Sequence, residues 1–329
     1  MTSSNAIKLF LNIPLMKDIC NQKQYIRVFI VKVLVFIFLF MIFDRLSAEF
    51  LEKGLDRYFG FNQPSEILCL GNSRTALGID KSLLEKNLNV PVAKYARNGA
   101  NISDRFAMLK QYIERQPSGV KILIYDVDAH IFTGEGLSLN SYTLFYPFMD
   151  SPSIDTYVHQ YASFCDYSIR HVLKLRRFDL ETCNLALRGW LGRYDNLKSG
   201  TVDIERLKKQ IVDGQIRHIT FEDENITCFE KTVQFALEKG MNVILFYIPT
   251  VDLYNQAEPE KYMHTIDLLK QYASSNDKIT FLDYSTHFCH RYDLFYDSIH
   301  LNPKGQKLVT EKLAQDIKQF LIEEKTAKN

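Results

Sequence analysis

Apolar residues run almost unbroken from Ile26 to Phe43 (IRVFIVKVLVFIFLFMIF), and nowhere else in the chain. This run is just long enough for a helix to cross a bilayer. Arg27 and Lys32 interrupt its N-terminal side, and Lys32 can snorkel along its own stem, leaving Val33 to Phe43 as the deep part. Lys8, Lys17, Lys23, Arg27 and Lys32 precede or enter the run against Asp18 alone, whereas Asp44, Glu49, Glu52 and Asp56 follow it. The positive-inside rule then puts the N-terminus in the cytoplasm and everything after Arg45 outside. A cleaved signal peptide is one rival, but Arg45-Leu46-Ser47-Ala48 lacks the small first residue of an A-x-A site. A buried core helix is another. The expectation is a cytoplasmic tail at 1–25 and an uncleaved single-pass anchor at 26–45 in a cytoplasmic or inner membrane, followed by a linker at 46–65.

Beyond the anchor the pattern changes to short apolar strands alternating with amphipathic helices. Ala48 to Phe59 predicts a short amphipathic helix, and Gly60-Phe61-Asn62-Gln63-Pro64 a turn. Ile67 to Leu70, Val92 to Tyr95, Val120 to Val127, Asn242 to Ile248 and Ile279 to Asp283 predict strands. Helices are expected over Asp80 to Asn87, Asp104 to Gln116, Ile226 to Lys239, Glu258 to Ala273 and Pro303 to Ile322, the last with Pro303 in its first turn. Apolar strands alternating with helices argue a doubly wound, flavodoxin-like parallel sheet. The rhythm fails from about 130 to 224, a Tyr-, Phe- and Arg-rich stretch with helical fragments around Ile154 to Leu175, read as a mostly helical insertion. The globular domain would thus span 66–324, with a short tail at 325–329. Tyr142 to Phe148 and Tyr157 to Tyr167 are expected to form the insertion's own core.

Hydrophobic residues make up 46% of the 329, ample for one large domain, and the formal net charge of +1 gives no reason to expect a nucleic-acid partner. The six cysteines are scattered without metal-ligand spacing and are read as buried thiols, although Cys165 with Cys183, or Cys228 with Cys289, could pair in an oxidising compartment. Asn101-Ile-Ser and Asn225-Ile-Thr fit glycosylation sequons, which also arise by chance.

In a doubly wound sheet, ligands bind beyond the carboxyl ends of the strands. The first such loop is Gly71-Asn72-Ser73-Arg74-Thr75, where a serine opening a helix could serve as nucleophile or merely as an N-cap. Near the other end stands Asp297-Ser298-Ile299-His300-Leu301-Asn302-Pro303-Lys304-Gly305. A serine hydroxyl needs a base, and an imidazole needs a carboxylate to fix its tautomer; Asp297 and His300 supply both from one segment.

Together, Leu70-Gly71-Asn72-Ser73-Arg74 and Asp297-x-x-His300-x-x-Pro303-x-Gly305 resemble the GDS-like first block and D-x-x-H last block of the SGNH/GDSL hydrolases, with Asn72 where the family most often has Asp. The resemblance covers roughly Ile67 to Ile322 apart from the insertion. It implies an SGNH-type fold and a Ser73, His300, Asp297 triad whose oxyanion hole uses the N–H groups of Ser73 and Gly99, with Gly99 lying in Arg97-Asn98-Gly99-Ala100-Asn101. The family's third block, an Asn after the next strand, is absent: Tyr125-Asp126-Val127-Asp128-Ala129-His130 stands there, leaving Asn98 or Asn101 as substitute donors. This departure resembles envelope-anchored SGNH proteins that handle acyl groups on cell-wall polymers and exopolysaccharides.

Asp126-x-Asp128 also looks like the opening of a haloacid-dehalogenase-type phosphatase, or the metal-binding pair of a glycosyltransferase, or two carboxylates that cap loops and bind Arg or backbone N–H groups. Trp190, between Arg188 and Arg193, would suit stacking on a sugar or covering a core edge. Arg74, Asp126, Asp128 and Trp190 are the substrate-binding candidates. The expected activity is hydrolysis or transfer of an O-acyl group, acetyl foremost, on an envelope glycan or an acylated small molecule, with no metal or organic cofactor required. The alternative is a catalytically weak glycan-binding or scaffold protein of the envelope.

Overall fold

The structure is a computed structural model that describes residues 13–117, 119–134 and 138–327. Helix α1 (Ile13–Phe59) is one unbroken element, so the residues expected as tail after position 12, span and linker helix are continuous. Residues 1–12 and 328–329, with Lys8 among them, lie outside the described residues. Nothing between the apolar run and Gly60 breaks the helix, because Gly54 alone costs about 1 kcal/mol and the first strong stop is Gly60 at φ 84°. Gln24–Phe59 is long and apolar enough to cross a membrane, and the side chains from Ile26 to Leu39 are exposed.

Five parallel strands follow: β1 (Ile67–Gly71), β2 (Val92–Ala96), β3 (Ile122–Val127), β4 (Asn242–Tyr247) and β5 (Ile279–Asp283), in the order β2-β1-β3-β4-β5. The connections carry α2 (Ser73–Gly78), α3 (Lys81–Leu88), α4 (Ile102–Arg115), α5 (Pro152–Tyr161), α6 (Phe164–Val172), α7 (Leu180–Trp190), α8 (Ile204–Val212), α9 (Asp223–Glu238), α10 (Asp252–Asn255), α11 (Pro259–Ser274) and α12 (Pro303–Ala327). This is the doubly wound α/β sheet expected from the alternation.

The alternating strand residues sort the core onto two faces. Leu68, Leu70, Leu123, Tyr125 and Leu245 face a core shared with Phe59 of α1, Met108 and Tyr112 of α4, Phe229 of α9 and Leu269 of α11. Ile67, Cys69, Ile122, Ile124, Ile244 and Phe246 face Leu84 of α3 and Val309, Leu313 and Ile317 of α12. Burial on both faces explains why these strands read as continuous apolar runs rather than as alternating ones.

The aromatic stretch after β3 makes no separate core. Phe148 meets Phe59, Phe61 and Tyr95 with ring centroids 5.7–6.4 Å apart, so it extends the main core across the edge of the sheet beside β2. Among the described residues the thiols of Cys69, Cys165, Cys183, Cys228 and Cys289 are free, so neither cysteine pairing forms.

Candidate active site

Two loops at the carboxyl ends of the strands build the site, and each owes its shape to residues that do no chemistry. At the end of β1, a Cβ on Gly71 would fall 1.9 Å from Thr75 Oγ1 and 2.8 Å from Asp126 Cβ, so only glycine lets the chain turn there. Asn72 then accepts the N–H of Arg74 at 2.9 Å, capping α2 and leaving Ser73 as its first, partly exposed residue. Buried Lys94 of β2 donates to the carbonyls of Ala76 and Ile79 at 3.1 and 2.9 Å, holding the far end of this short helix.

The second loop is closed by an antiparallel bridge between Phe295 and Leu301 and by the N–H of Tyr296 donating to His300 O at 2.8 Å. Asn302 caps α12 by accepting from Lys304 and Gly305 N–H at 3.0 and 3.1 Å, and its amide donates to Gly200 and Asp293 carbonyls. A Cβ on Gly305 would sit 2.2 Å from Leu294 O. The Asn302, Pro303 and Gly305 of the motif are therefore a helix start packed against the loop that carries the imidazole.

The structure brings Ser73, His300 and Asp297 together across a sequence separation of 224 positions, from 73 to 297. Ser73 Oγ lies 2.8 Å from His300 Nε2, and His300 Nδ1 lies 2.8 and 3.0 Å from Asp297 Oδ2 and Oδ1. With Nδ1–H donating to the carboxylate, Nε2 keeps its lone pair for the serine proton. Asp297 Oδ1 also accepts the N–H groups of Ile299 and His300 at 3.0 and 2.9 Å. Burial pushes the Asp297 carboxyl up, but the hydrogen bond and charge of His300 and the two N–H groups outweigh it and hold the carboxyl below the usual carboxylate range.

Arg74, Asp126 and Asp128 also come together, but inside the protein. Arg74 is 3% exposed and Asp126 1%. The Arg74 guanidinium meets Asp128 Oδ2 at 3.0 Å and Asp126 Oδ1 at 3.9 Å, donates to Ile248 O, and lies 5.2 Å from the centre of the Tyr247 ring. Burial pushes Asp126 up to about 6. For Asp128 burial acts in the same direction, but Arg74 beside it overcomes this and holds the carboxyl down at about 2. Arg74 and Asp126 are buried, and with Asp128 they brace the Ser73 loop against the ends of β3 and β4, whereas the Asp128 side chain stays 13% exposed and lines a small cavity with Asn72 and Asn101. A phosphoryl-accepting or metal-binding pair would face a ligand; this one faces a guanidinium.

Trp190 likewise has structural partners. Its ring stacks on Phe50 at 5.1 Å, Arg57 covers it at 4.1 Å, and Nε1 donates to Phe50 O at 3.0 Å, so its faces and its N–H are spent on α1.

Gly99 is exposed, at φ 76°, with nothing within 4 Å of where a Cβ would stand, so its backbone borders open space. The Asn98 amide donates to Glu181 at 3.3 Å. Asn101 caps α4 in a reciprocal box with Asp104, and its amide donates to Ser141 Oγ at 2.9 Å. Asn225, of the other sequon, donates to Phe132 O at 3.2 Å.

Two surface clefts adjoin these loops. One of about 500 Å³ is lined by Leu77, Asn98, Arg188, Arg193 and Asn196, and one of about 460 Å³ by Arg206, Tyr296 and Asp297. The chain between α7 and α8 borders both. Its residues carry no motif and follow no strand, which is why a reading of strand ends overlooks them. A larger cleft, about 940 Å³ between α4, α5 and α9, contains none of the triad.

A sheet of order β2-β1-β3-β4-β5 is the flavodoxin-like doubly wound arrangement, and Ser73 after its first strand with an Asp297/His300 loop before its last helix stand where the resemblance to SGNH/GDSL hydrolases expects them. No family model matches the chain, and no curated protein does. Solved structures similar to it include a putative acylhydrolase from Bacteroides fragilis, at 12% identity and TM-score 0.41 over 79% of this chain and 91% of that one. Another is the lipase/acylhydrolase from Enterococcus faecalis, at 12% identity and TM-score 0.41 over 77% of this chain and 95% of that one. A third is an acetyl xylan esterase (Est2A) from the rumen bacterium Butyrivibrio proteoclasticus, at 10% identity and TM-score 0.34 over 78% and 64%. Likeness this distant assigns neither activity nor substrate.

Proposed function

We propose that the protein is a serine ester hydrolase or acyltransferase acting outside the cytoplasmic membrane on O-acyl groups, acetyl foremost, of cell-envelope carbohydrate. The observation that carries this reading is the continuous hydrogen-bonded chain from Ser73 Oγ through His300 to Asp297. Ser73 Oγ bonds to the acyl carbon as its proton passes to His300 Nε2. The tetrahedral oxyanion is held by the N–H of Ser73, at the first turn of α2 where no helical carbonyl claims it, and by the N–H of Gly99. As the C–O bond of the ester breaks, Nε2 returns the proton to the leaving alcohol. Water, or a sugar hydroxyl in the case of transfer, then loses its proton to Nε2 and attacks the acyl-serine, and Nε2 reprotonates Ser73 as the product leaves. Asp297 stays ionised and holds the imidazole in the required tautomer throughout.

A second reading, a catalytically weak glycan-binding or scaffold protein, is favoured by one observation: the amides of Asn98 and Asn101 are committed to Glu181 and Ser141. Lack of a third oxyanion donor costs about 2.7–4 kcal/mol, or roughly 10²–10³ in rate. One experiment separates the readings. Full-length protein is treated with a fluorophosphonate and assayed on p-nitrophenyl acetate beside Ser73→Ala. Labelling of the wild type alone, with turnover reduced by about 10³ or more in the variant, supports the enzyme. Equal turnover in both sinks it, and an unlabelled, inactive, folded wild type favours the binder.

A further inference from the structure

Helix α6 (Phe164–Val172) has its polarity reversed. None of its residues is buried, yet its sides differ sharply in chemistry. Asp166, Tyr167, Arg170 and His171 turn toward the protein. Asp166 accepts from Tyr146 Oη and from Arg170 Nε, and Arg170 lies 3.7 Å from the centre of the Tyr146 ring. Tyr167 Oη donates to Asp155 at 2.8 Å, and His171 Nε2 meets the same carboxylate at 3.1 Å. The outward side holds Phe164 at 82% exposure, Val172 at 56% and Ile169 at 37%, with Cys165 also exposed. A helix on a water-facing surface does the opposite, because tying polar side chains to the protein while baring apolar ones to water wastes both.

The position of this helix supplies the missing solvent. Asp44, 1% exposed, is the residue immediately after the apolar run, and its carboxylate accepts the N–H groups of Lys174 and Leu175 at 2.8 and 2.9 Å. Arg45 donates to the carbonyls of Val172 and His171 at 3.0 and 3.4 Å, capping the C-terminus of α6. These four bonds weld the end of α6 to α1 at the level where α1 leaves its apolar stretch. Phe43 and Leu46, which flank Asp44 and Arg45 on α1, are 61% and 63% exposed, so exposed apolar side chains lie on α1 beside the residues that hold the end of α6.

We propose that α6 lies in the interface of the bilayer that α1 crosses, with Phe164, Ile169 and Val172 immersed among headgroups and upper acyl chains. The proposal rests on α1 being a membrane span and adds a second, monotopic contact to it. Two contacts on one rigid element would fix the tilt of the globular body over the membrane, and with it the side from which a polymer can approach Ser73.

The test uses full-length Phe164→Trp in a Trp190→Phe background, reconstituted in vesicles of phosphatidylcholine and phosphatidylglycerol brominated near the top of the acyl chains. Because interfacial helices sit roughly 5–10 Å into the headgroup boundary, the expected result is a blue-shifted emission quenched at least about twofold by the brominated lipid and shielded from aqueous iodide. Protein that floats with the vesicles but shows water-like emission quenched by iodide overturns the placement of α6 while leaving the span standing. Protein that fails to float with the vesicles overturns both.

Discussion

The Arg74 guanidinium, one residue from the candidate nucleophile, does its work without meeting solvent. It ties the first turn of α2 to Asp128 and Ile248, so the position of Ser73 depends on a buried ion pair. The folded carboxyl of Asp128 titrates at about 2, below its ordinary value. Its contribution is therefore fully present above about pH 4 and lost as pH falls toward 2. Asp126 has the opposite sign: its folded carboxyl is pushed up to about 6, so its charge destabilises the fold at neutral pH and protonation between about 6 and 4 relieves this. Asp128→Asn should lower stability in urea at pH 7 by about 2–3 kcal/mol and flatten the loss between pH 4 and 2. An unchanged acid limb would show that Arg74 does not hold this carboxyl. The sequence motif made Ser73, Asp297 and His300 legible because their spacing relative to strand ends is itself the signal. Arg74, Asp126, Asp128 and Trp190 stayed open between a ligand contact and a structural role because their types suit both, and their partners in the fold supply the structural one: Asp128 and Asp126 for Arg74, Phe50 and Arg57 for Trp190.

Among the elements, α1 and α7 cross closely enough to require glycine from both. A Cβ on Gly189 would fall 1.9 Å from Gly54 O, and one on Gly54 would fall 2.4 Å from Ala186 O. Just beyond this crossing, Arg188 donates to Asn196 Oδ1 at 2.8 Å and Tyr58 Oη to the same atom at 3.0 Å, linking the crossing to the chain that borders the cleft of Leu77 and Asn98. Gly189→Ala should therefore separate the two helices, lower the melting free energy by about 1–3 kcal/mol, and open the chain after α7 to limited proteolysis. A wild-type melt and digest would refute the crossing. Strand and helix positions were legible to within a few residues, since apolar runs and caps such as Asp80 and Asn101 act locally. The fusion of span and linker into one helix was hidden, because Gly54 and the polar residues around it resemble a linker until α7 is seen packed on them.

For the whole molecule, α1 both carries the apolar stretch and supplies Leu55, Tyr58 and Phe59 to the core of the sheet, so the domain is built onto its anchor. The charge asymmetry around the apolar run predicts a cytoplasmic N-terminus, so protease added to intact spheroplasts should digest the region beyond residue 45 and spare the N-terminal end; full protection would reverse the orientation. The sequence by itself determined the alternation of strands and helices, the long apolar helix and the pairing of a Gly71-Asn72-Ser73 turn with an Asp297-x-x-His300 loop. These follow from local periodicity, turn chemistry and short-range spacing, which a linear chain displays. Tertiary structure alone decided that Arg74 is a brace, that Trp190 packs on α1, that the aromatic residues after β3 join the main core, and that α6 turns its apolar side outward. Each of these depends on what stands opposite a side chain, and a partner brought in by the fold leaves no trace in the pattern around it.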